Sequence, residues 1–201
     1  MPILSFIAAS LIVVPQTDDR FARKVFDNYP VQAQMRNQSG AVRARYWLKP
    51  DGEIYRCEAL QVFGGEIFGP AACKSIIGFR LRQTAAVGSS SAYGMITTMV
   101  FYTVRGGGND REILSIQRPA DLTLAGTGPA TDAAEIRIAV QVEPYGSVTR
   151  CEGMDGAAEA LVERACAEAK RRGAPPGTDA AGAPISYVTA LVARFAAANP
   201  S

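Results

Sequence analysis

Two stretches of this chain are built on one template. "PDGEIYRCEA", residues 50–59, and "PYGSVTRCEG", residues 144–153, keep proline, glycine, arginine, cysteine and glutamate in the same places. The match extends without gaps over "VRARYWLKPDGEIYRC" and "IRIAVQVEPYGSVTRC", at an offset of 94 (151 − 57). Cys73 and Cys166 continue it at an offset of 93 (166 − 73), so one residue is lost in between. Each half then runs through a loop into an apolar stretch, "YGMITTMVFYTV" in one and "PISYVTALVARF" in the other. Solenoid repeats are about 20–50 residues long, so this spacing points instead to two copies of a small domain.

Within each copy the pattern reads strand, turn, strand, helix, strand. Ile136, Ile138, Val140 and Val142 alternate with Arg137, Ala139, Gln141 and Glu143, the period of a half-buried strand. Gly52 and Gly146 fall at hairpin turns, where glycine takes positive φ without strain. In the second copy, Ala158, Leu161, Val162, Ala165, Cys166 and Ala169 follow the spacing of one helical face. Asp155 is placed to cap that helix, Lys170 to Arg172 complement its dipole, and Gly173 ends it. The first-copy helix opens near Pro70 and carries Cys73, Ile76 and Ile77 along one face. The expected fold is α+β: two tandem small domains, each a short antiparallel sheet with one helix packed on it. The expected boundaries are a signal-like segment at 1–18, a first domain at 19–105, a linker at 106–119 and a second domain at 120–201.

Cys57 and Cys151 lie on second strands, and Cys73 and Cys166 on the helices that must pack against them. Of the three pairings open to four cysteines, a strand-to-helix bond inside each copy is the simplest. Closing a loop of this size stabilises by about 3 kcal/mol in the chain-entropy model. The alternative is four buried thiols in a reducing compartment. Ile54 and Cys57 are an odd distance apart, so both face the helix only if the strand bulges between them or Cys57 lies past its end.

The first charges come only at Asp18, after an almost wholly apolar run from Pro2 to Val14. That run is shorter than the roughly 20 apolar residues of a membrane-spanning helix. It reads as the apolar region of an export signal or a short membrane anchor, with a buried strand or helix as the alternative. The whole chain is 20% charged and carries a formal net charge of +2, with no basic run interleaved with aromatics, so nucleic acid is not an expected partner. The 201 residues include no histidine, the commonest general base and metal ligand. "GSSS" at 88–91 is not a nucleophile elbow, and "GGGND" at 106–110 lacks the lysine of a phosphate loop and reads as flexible linker. Asn109, Asp110 and Glu112 read as a solvated loop, and Arg43 and Arg45 as an outward strand face. No catalysis, cofactor or metal is expected.

The stretch from Asn28, "NYPVQAQMRNQSGAVRARYWLKPDGEIYRCEALQVFGGEIFGPAACKSIIGFRL", resembles the C-terminal domain of TonB-family energy transducers. Tyr29-Pro30 with Ala33, Gly40 opening the first strand, the Asp51-Gly52 turn, Gly64-Gly65 and the apolar strand from Met95 to Val104 carry the resemblance. The two cysteines match a cysteine-bearing branch of that family. The second copy, from Ile136 to Phe195, lacks the Tyr-Pro element and leans on the internal repeat.

The resemblance implies a periplasmic domain that captures a short segment of an outer-membrane transporter by strand addition. The candidate edge is the first third strand, Thr97, Thr98, Met99, Val100 and Phe101, with Ser186 to Val192 as its counterpart in the second copy. The expected partner is a protein or peptide, with an outer-membrane transporter and a second copy of the chain as candidates. A full transducer adds a membrane helix with a functional histidine and a long proline-rich spacer, whereas this sequence has no histidine and no such spacer. The alternative reading is therefore an envelope adaptor or dimerisation protein of the same fold, without energy coupling.

Overall fold

The computed structural model describes residues 12–74, 76–81, 92–104, 106–126 and 134–196. Most of the apolar N-terminal run and the "GSSS" stretch lie outside them. The first half contains helices α1 (Asp19–Phe26) and α2 (Val31–Met35), strands β1 (Gly40–Leu48) and β2 (Ile54–Phe63), helix α3 (Phe68–Lys74) and strand β3 (Tyr93–Tyr102). Helix α4 (Asp110–Leu114) and strand β4 (Leu122–Ala125) follow. The second half contains strands β5 (Ala134–Val142) and β6 (Val148–Gly153), helix α5 (Glu159–Arg172), the short pair β7 (Gly177–Thr178) and β8 (Pro184–Ile185), and strand β9 (Tyr187–Ala196).

Each half holds the expected antiparallel hairpin, and the two hairpins share an irregularity. Ile54 pairs with Leu48 but Arg56 with Trp47, which leaves Tyr55 as an extra residue. Val148 pairs with Val142 but Arg150 with Gln141, which leaves Thr149. The two bulged residues are 94 apart (149 − 55). A bulge turns residues of odd separation to one side, so Ile54 and Cys57 both reach the core under α3. Val148 and Cys151 reach the core under α5 in the same way.

The two hairpins belong to one sheet of order β2-β1-β3-β9-β5-β6, with β4 on the edge of β9. The seam pairs β3 and β9 in parallel, Tyr93 with Tyr187, Gly94 with Val188 and Met95 with Thr189. Each of these pairs is again 94 apart (187 − 93), so corresponding residues of the two halves meet side by side. Parallel pairing of equivalent strands through equivalent edges requires a twofold relation along the strand direction, which reverses the faces of the sheet. Adjacent strand residues point to opposite faces, and the cores obey this. Tyr46, Leu48, Ile96 and Tyr102 pack with Phe68, Ala72 and Ile76 on the α3 side. Trp47 and Met95 point the other way and join Val140, Tyr187, Ala165 and Ala169 under α5. The Trp47 ring meets the Tyr187 ring edge-on at 4.9 Å, and Tyr55 and Arg56 both hydrogen-bond Thr178.

Several expectations are corrected. Strand β9 is interior to the sheet, paired to β5 on one side and to β3 and β4 on the other, so Ser186–Val192 is not an open edge. Asp155 sits in a turn at positive φ and pairs with Arg137, so α5 starts only at Glu159, without a side-chain cap. Gly173 does end it, at φ +71°. Helix α3 stops at Lys74, beyond which Ile76 is buried and Ile77 is exposed. The segment read as solvated linker is held down. Asn109 accepts from the Ser39 N–H at 2.9 Å and donates to its carbonyl at 2.8 Å, imitating a neighbouring strand. Asp110 accepts from the Ser39 hydroxyl, and Ile113 of α4 packs on Ala41 and Met99. At the N-terminus, Val14 is buried and Asp18 caps α1 by accepting from the Phe21 N–H at 2.9 Å. No helix among the described residues is long and apolar enough to cross a membrane.

The hairpin glycine of the second half is doubly constrained. Gly146 has φ +93°, and a Cβ there would collide with the Ala174 carbonyl oxygen, whose own N–H donates to Gly146 O at 2.8 Å. Gly146→Ala should therefore lower unfolding stability by about 1–3 kcal/mol, read as a shift of the urea midpoint with both disulfides intact. An unchanged midpoint would show that this turn is not a fixed point of the fold.

Candidate strand-acceptor edge

The site begins with the alternation of β3. Ile96, Val100 and Tyr102 turn into the core under α3, while Met95 and Met99 turn to the opposite face. On one edge β3 is paired with β1 along its whole length from Gly94 to Tyr102. On the other edge only Tyr93–Met95 are paired, to β9. The strands then diverge. Among the described residues, Ile96–Tyr102 have no ladder partner on that second edge. This stretch contains all five of the sequence-expected edge residues, Thr97, Thr98, Met99, Val100 and Phe101. Phe101 is exposed beside it.

A narrow cleft opens where β3 and β9 part, lined by Thr97, Thr98, Met99, Arg43, Arg118, Pro119, Asp121 and Val192. Its chemistry is organised by Asp121. One carboxylate oxygen accepts from Arg43 at 2.9 Å, and the other accepts from the Val192 N–H at 2.9 Å. The Asp121 N–H donates to the Val192 carbonyl at 2.8 Å. Burial pushes this carboxyl above its ordinary value, opposed by the Val192 N–H and the Arg43 guanidinium. Arg43 and Arg45 do leave β1 on the face away from α3, but there they are half-buried in ion pairs and not solvated. Arg43 binds Asp121, and Arg45 binds Glu58 at 3.2 Å, beside Trp47 and Arg56.

The family-marker residues lie elsewhere. Tyr29 is buried, its hydroxyl donating to the Gln38 carbonyl at 2.7 Å and its ring edge-on to Tyr102 at 5.5 Å and Phe68 at 6.0 Å. Burial raises its phenol above the ordinary value. Pro30 caps α2 with its carbonyl, which accepts from Ala33 and Gln34. Gly52 makes the β1–β2 turn at φ +83°. Both markers shape the domain and neither lines the cleft. Cys57–Cys73 and Cys151–Cys166 stand at disulfide distance, with Cα separations of 5.3 and 5.7 Å, each joining a second strand to its helix or the helix end. Among the described residues no three His, Cys, Asp or Glu side chains are grouped to hold a metal ion.

Sequence reasoning passed over Asp121. Its signal was present in "PADLTLAG", residues 119–126, an acid followed by alternating leucines between a proline and a glycine.

Residues 27–100 match the family model of the Gram-negative bacterial TonB protein C-terminal. The match runs from just before Tyr29-Pro30 into the third strand. No curated protein and no solved structure gives a significant match to the chain.

Removing the Asp121 carboxylate strands a backbone donor and a guanidinium together. Asp121→Ala should cost about 1–3 kcal/mol in urea unfolding, and Asp121→Asn less, since it keeps an acceptor. The pH dependence has a defined sign. A carboxyl raised on folding adds stability that is fully present below its unfolded value, ordinarily 3.8, and is lost as pH rises through the folded value. Wild type minus Asp121→Asn, compared at stepped pH, should show that loss. A difference growing with pH instead would contradict the burial of this group.

Proposed function

We propose that this chain is a periplasmic TonB C-terminal-type binding protein of cell-envelope transport, which captures an extended segment of a partner by strand addition along Ile96–Tyr102 of β3. The partner class is the outer-membrane transporter. The observation that carries the reading is the half-paired strand: β3 is anchored to β1 throughout, yet beyond Met95 its other edge has no ladder partner among the described residues. Unpaired N–H and C=O groups on such an edge template an incoming chain, and pockets for alternate side chains supply selectivity. The match of residues 27–100 to the TonB C-terminal model supports the transport context. The cysteine pairs at disulfide distance in both halves support an oxidising compartment. The mode of action is binding, without catalysis or cofactor, and the second half is a diverged second copy of the first.

A second reading is favoured by the seam. The second half sits on Tyr93–Met95 as another copy of the domain would, in register. That arrangement suits an envelope adaptor that uses the fold for docking and has no energy coupling.

A photoreactive side chain at Phe101 in the full chain, irradiated in its native envelope, tests the proposal. It should cross-link to an outer-membrane transporter. Successive amides of a strand point to opposite edges, so one of Thr98→Pro and Met99→Pro removes an outward donor and the other disrupts the ladder to β1. The outward one should abolish the cross-link with the circular dichroism unchanged, while Met99→Ala retains it. A cross-link indifferent to both prolines, or formed only with envelope proteins that are not transporters, would leave the adaptor reading in its place.

A further inference from the structure

The edge that β3 leaves unpaired has a counterpart in the second half, and there the edge is filled. By the 94-residue offset, Thr98–Tyr102 correspond to Val192–Ala196 (192 − 98). Strand β4 lies on that stretch in parallel, Leu122 beside Ala193, Thr123 beside Arg194, Leu124 beside Phe195 and Ala125 beside Ala196. It is not an element of the repeated unit. Moving back 94 from Leu122–Ala125 gives Asn28–Val31 (122 − 94), where the first half has the Tyr29-Pro30 corner and the start of α2. The segment 121–125 is thus an added strand on a third-strand edge.

Its hold on the edge has the components of recognition. Asp121 takes both the N–H and the C=O of Val192, one with its carboxylate and the other with its backbone. Leu122 is 3% exposed and inserts beside Ala193, Ile136 and Phe195, and Leu124 packs on the rim of the same core. Thr123 and Ala125 face away from that core. At the far end, Arg164 of α5 donates to the Ala125 carbonyl at 2.6 Å and lies over the Phe195 ring at 5.1 Å. The grip is an acid anchor, two apolar side chains at period two and a cationic clamp on the last carbonyl.

We propose that β4 is a resident ligand, occupying in cis a second strand-acceptor site on Val192–Ala196, and that its displacement admits an extended segment of the same chemistry: an acidic residue directly before alternating apolar positions. The proposal rests on the strand-addition reading for β3 and extends it to an edge the chain keeps closed by itself. A tethered strand competes at an effective concentration on the order of millimolar, so the intact chain excludes a free segment of equal grip. Asp121 also holds Arg43 of β1, so release of β4 breaks an ion pair between the halves.

The probe is a synthetic fluorescent peptide, PADLTLAG, titrated by anisotropy into the full-length, disulfide-intact chain. Wild type should bind it at least 10-fold more weakly than Asp121→Ala/Thr123→Pro, in which the resident strand has lost its anchor and its extended pairing. The same peptide with its acid changed to alanine should bind the double variant at least 10-fold more weakly. Leu124→Ala, on the half-buried rim of the core, weakens only the resident strand and should raise peptide binding several-fold over wild type. A photoreactive group at the peptide's C-terminus should mark residues near Phe195. Equal binding by wild type and Leu124→Ala, or no binding by a folded double variant, would overturn the proposal. So would marking confined to Thr98–Phe101, which would support capture at β3 while denying a second site.

Discussion

A hairpin followed by a helix and a third strand leaves that third strand paired on one side only. Its other edge carries backbone donors and acceptors that must meet water, a partner or another part of the chain. In this molecule the rest of the architecture follows from how the two such edges are treated. They meet each other over three residue pairs, Tyr93–Met95 with Tyr187–Thr189, and in parallel. Once equivalent strands pair in parallel, the twofold relation along them puts the two helices on opposite faces. The face of β1 and β3 that α3 does not cover then has to be covered otherwise, and Trp47 under Tyr187 and Ile113 of α4 on Met99 do so. A single layer of sheet thereby serves two cores.

Beyond the seam, the two halves part company. Strand β9 continues with Asp121 and β4 on its edge, while β3 continues with that edge unpaired among the described residues. The difference arises from the inserted segment between the halves. It is anchored first at Ser39 by Asn109 and Asp110, then on the sheet by Ile113, and reaches Val192 through Asp121. The segment that joins the two halves therefore also decides which half offers a strand edge. The half-buried Asp121–Arg43 pair stands at the branch point, where its worth lies as much in satisfying the Val192 N–H as in the ion pair itself.

Much of this was legible in the residues. The two hairpins, the α5 stripe of Leu161, Val162, Ala165, Cys166 and Ala169, and both cysteine pairs follow from periodicity and repetition. The bulge was one of the two ways left open for Ile54 and Cys57 to share a face, the other being a strand that ended before Cys57. What the pattern does not encode is which edge meets which. Side-chain alternation specifies the two faces of a strand and is silent about its two backbone edges. Ser186–Val192 looked as open as Thr97–Phe101 for that reason. Arg43 and Arg45 looked solvated because their carboxylate partners, Asp121 and Glu58, are brought to them only by the fold. Four residues of β4 are too few to register as a period, and Asn109-Asp110 after three glycines reads as linker until Ser39 is found opposite.

Amide hydrogen exchange in the free chain measures directly the asymmetry between the two edges, filled on β9 and, among the described residues, unpaired on β3. Every second amide along Ile96–Tyr102 should exchange at least 100-fold faster than its neighbours facing β1, whereas Val192 and the outward amides of Ala193–Ala196 should be protected along with the interior of the sheet. Uniform protection along β3, or fast exchange at Val192, would contradict it.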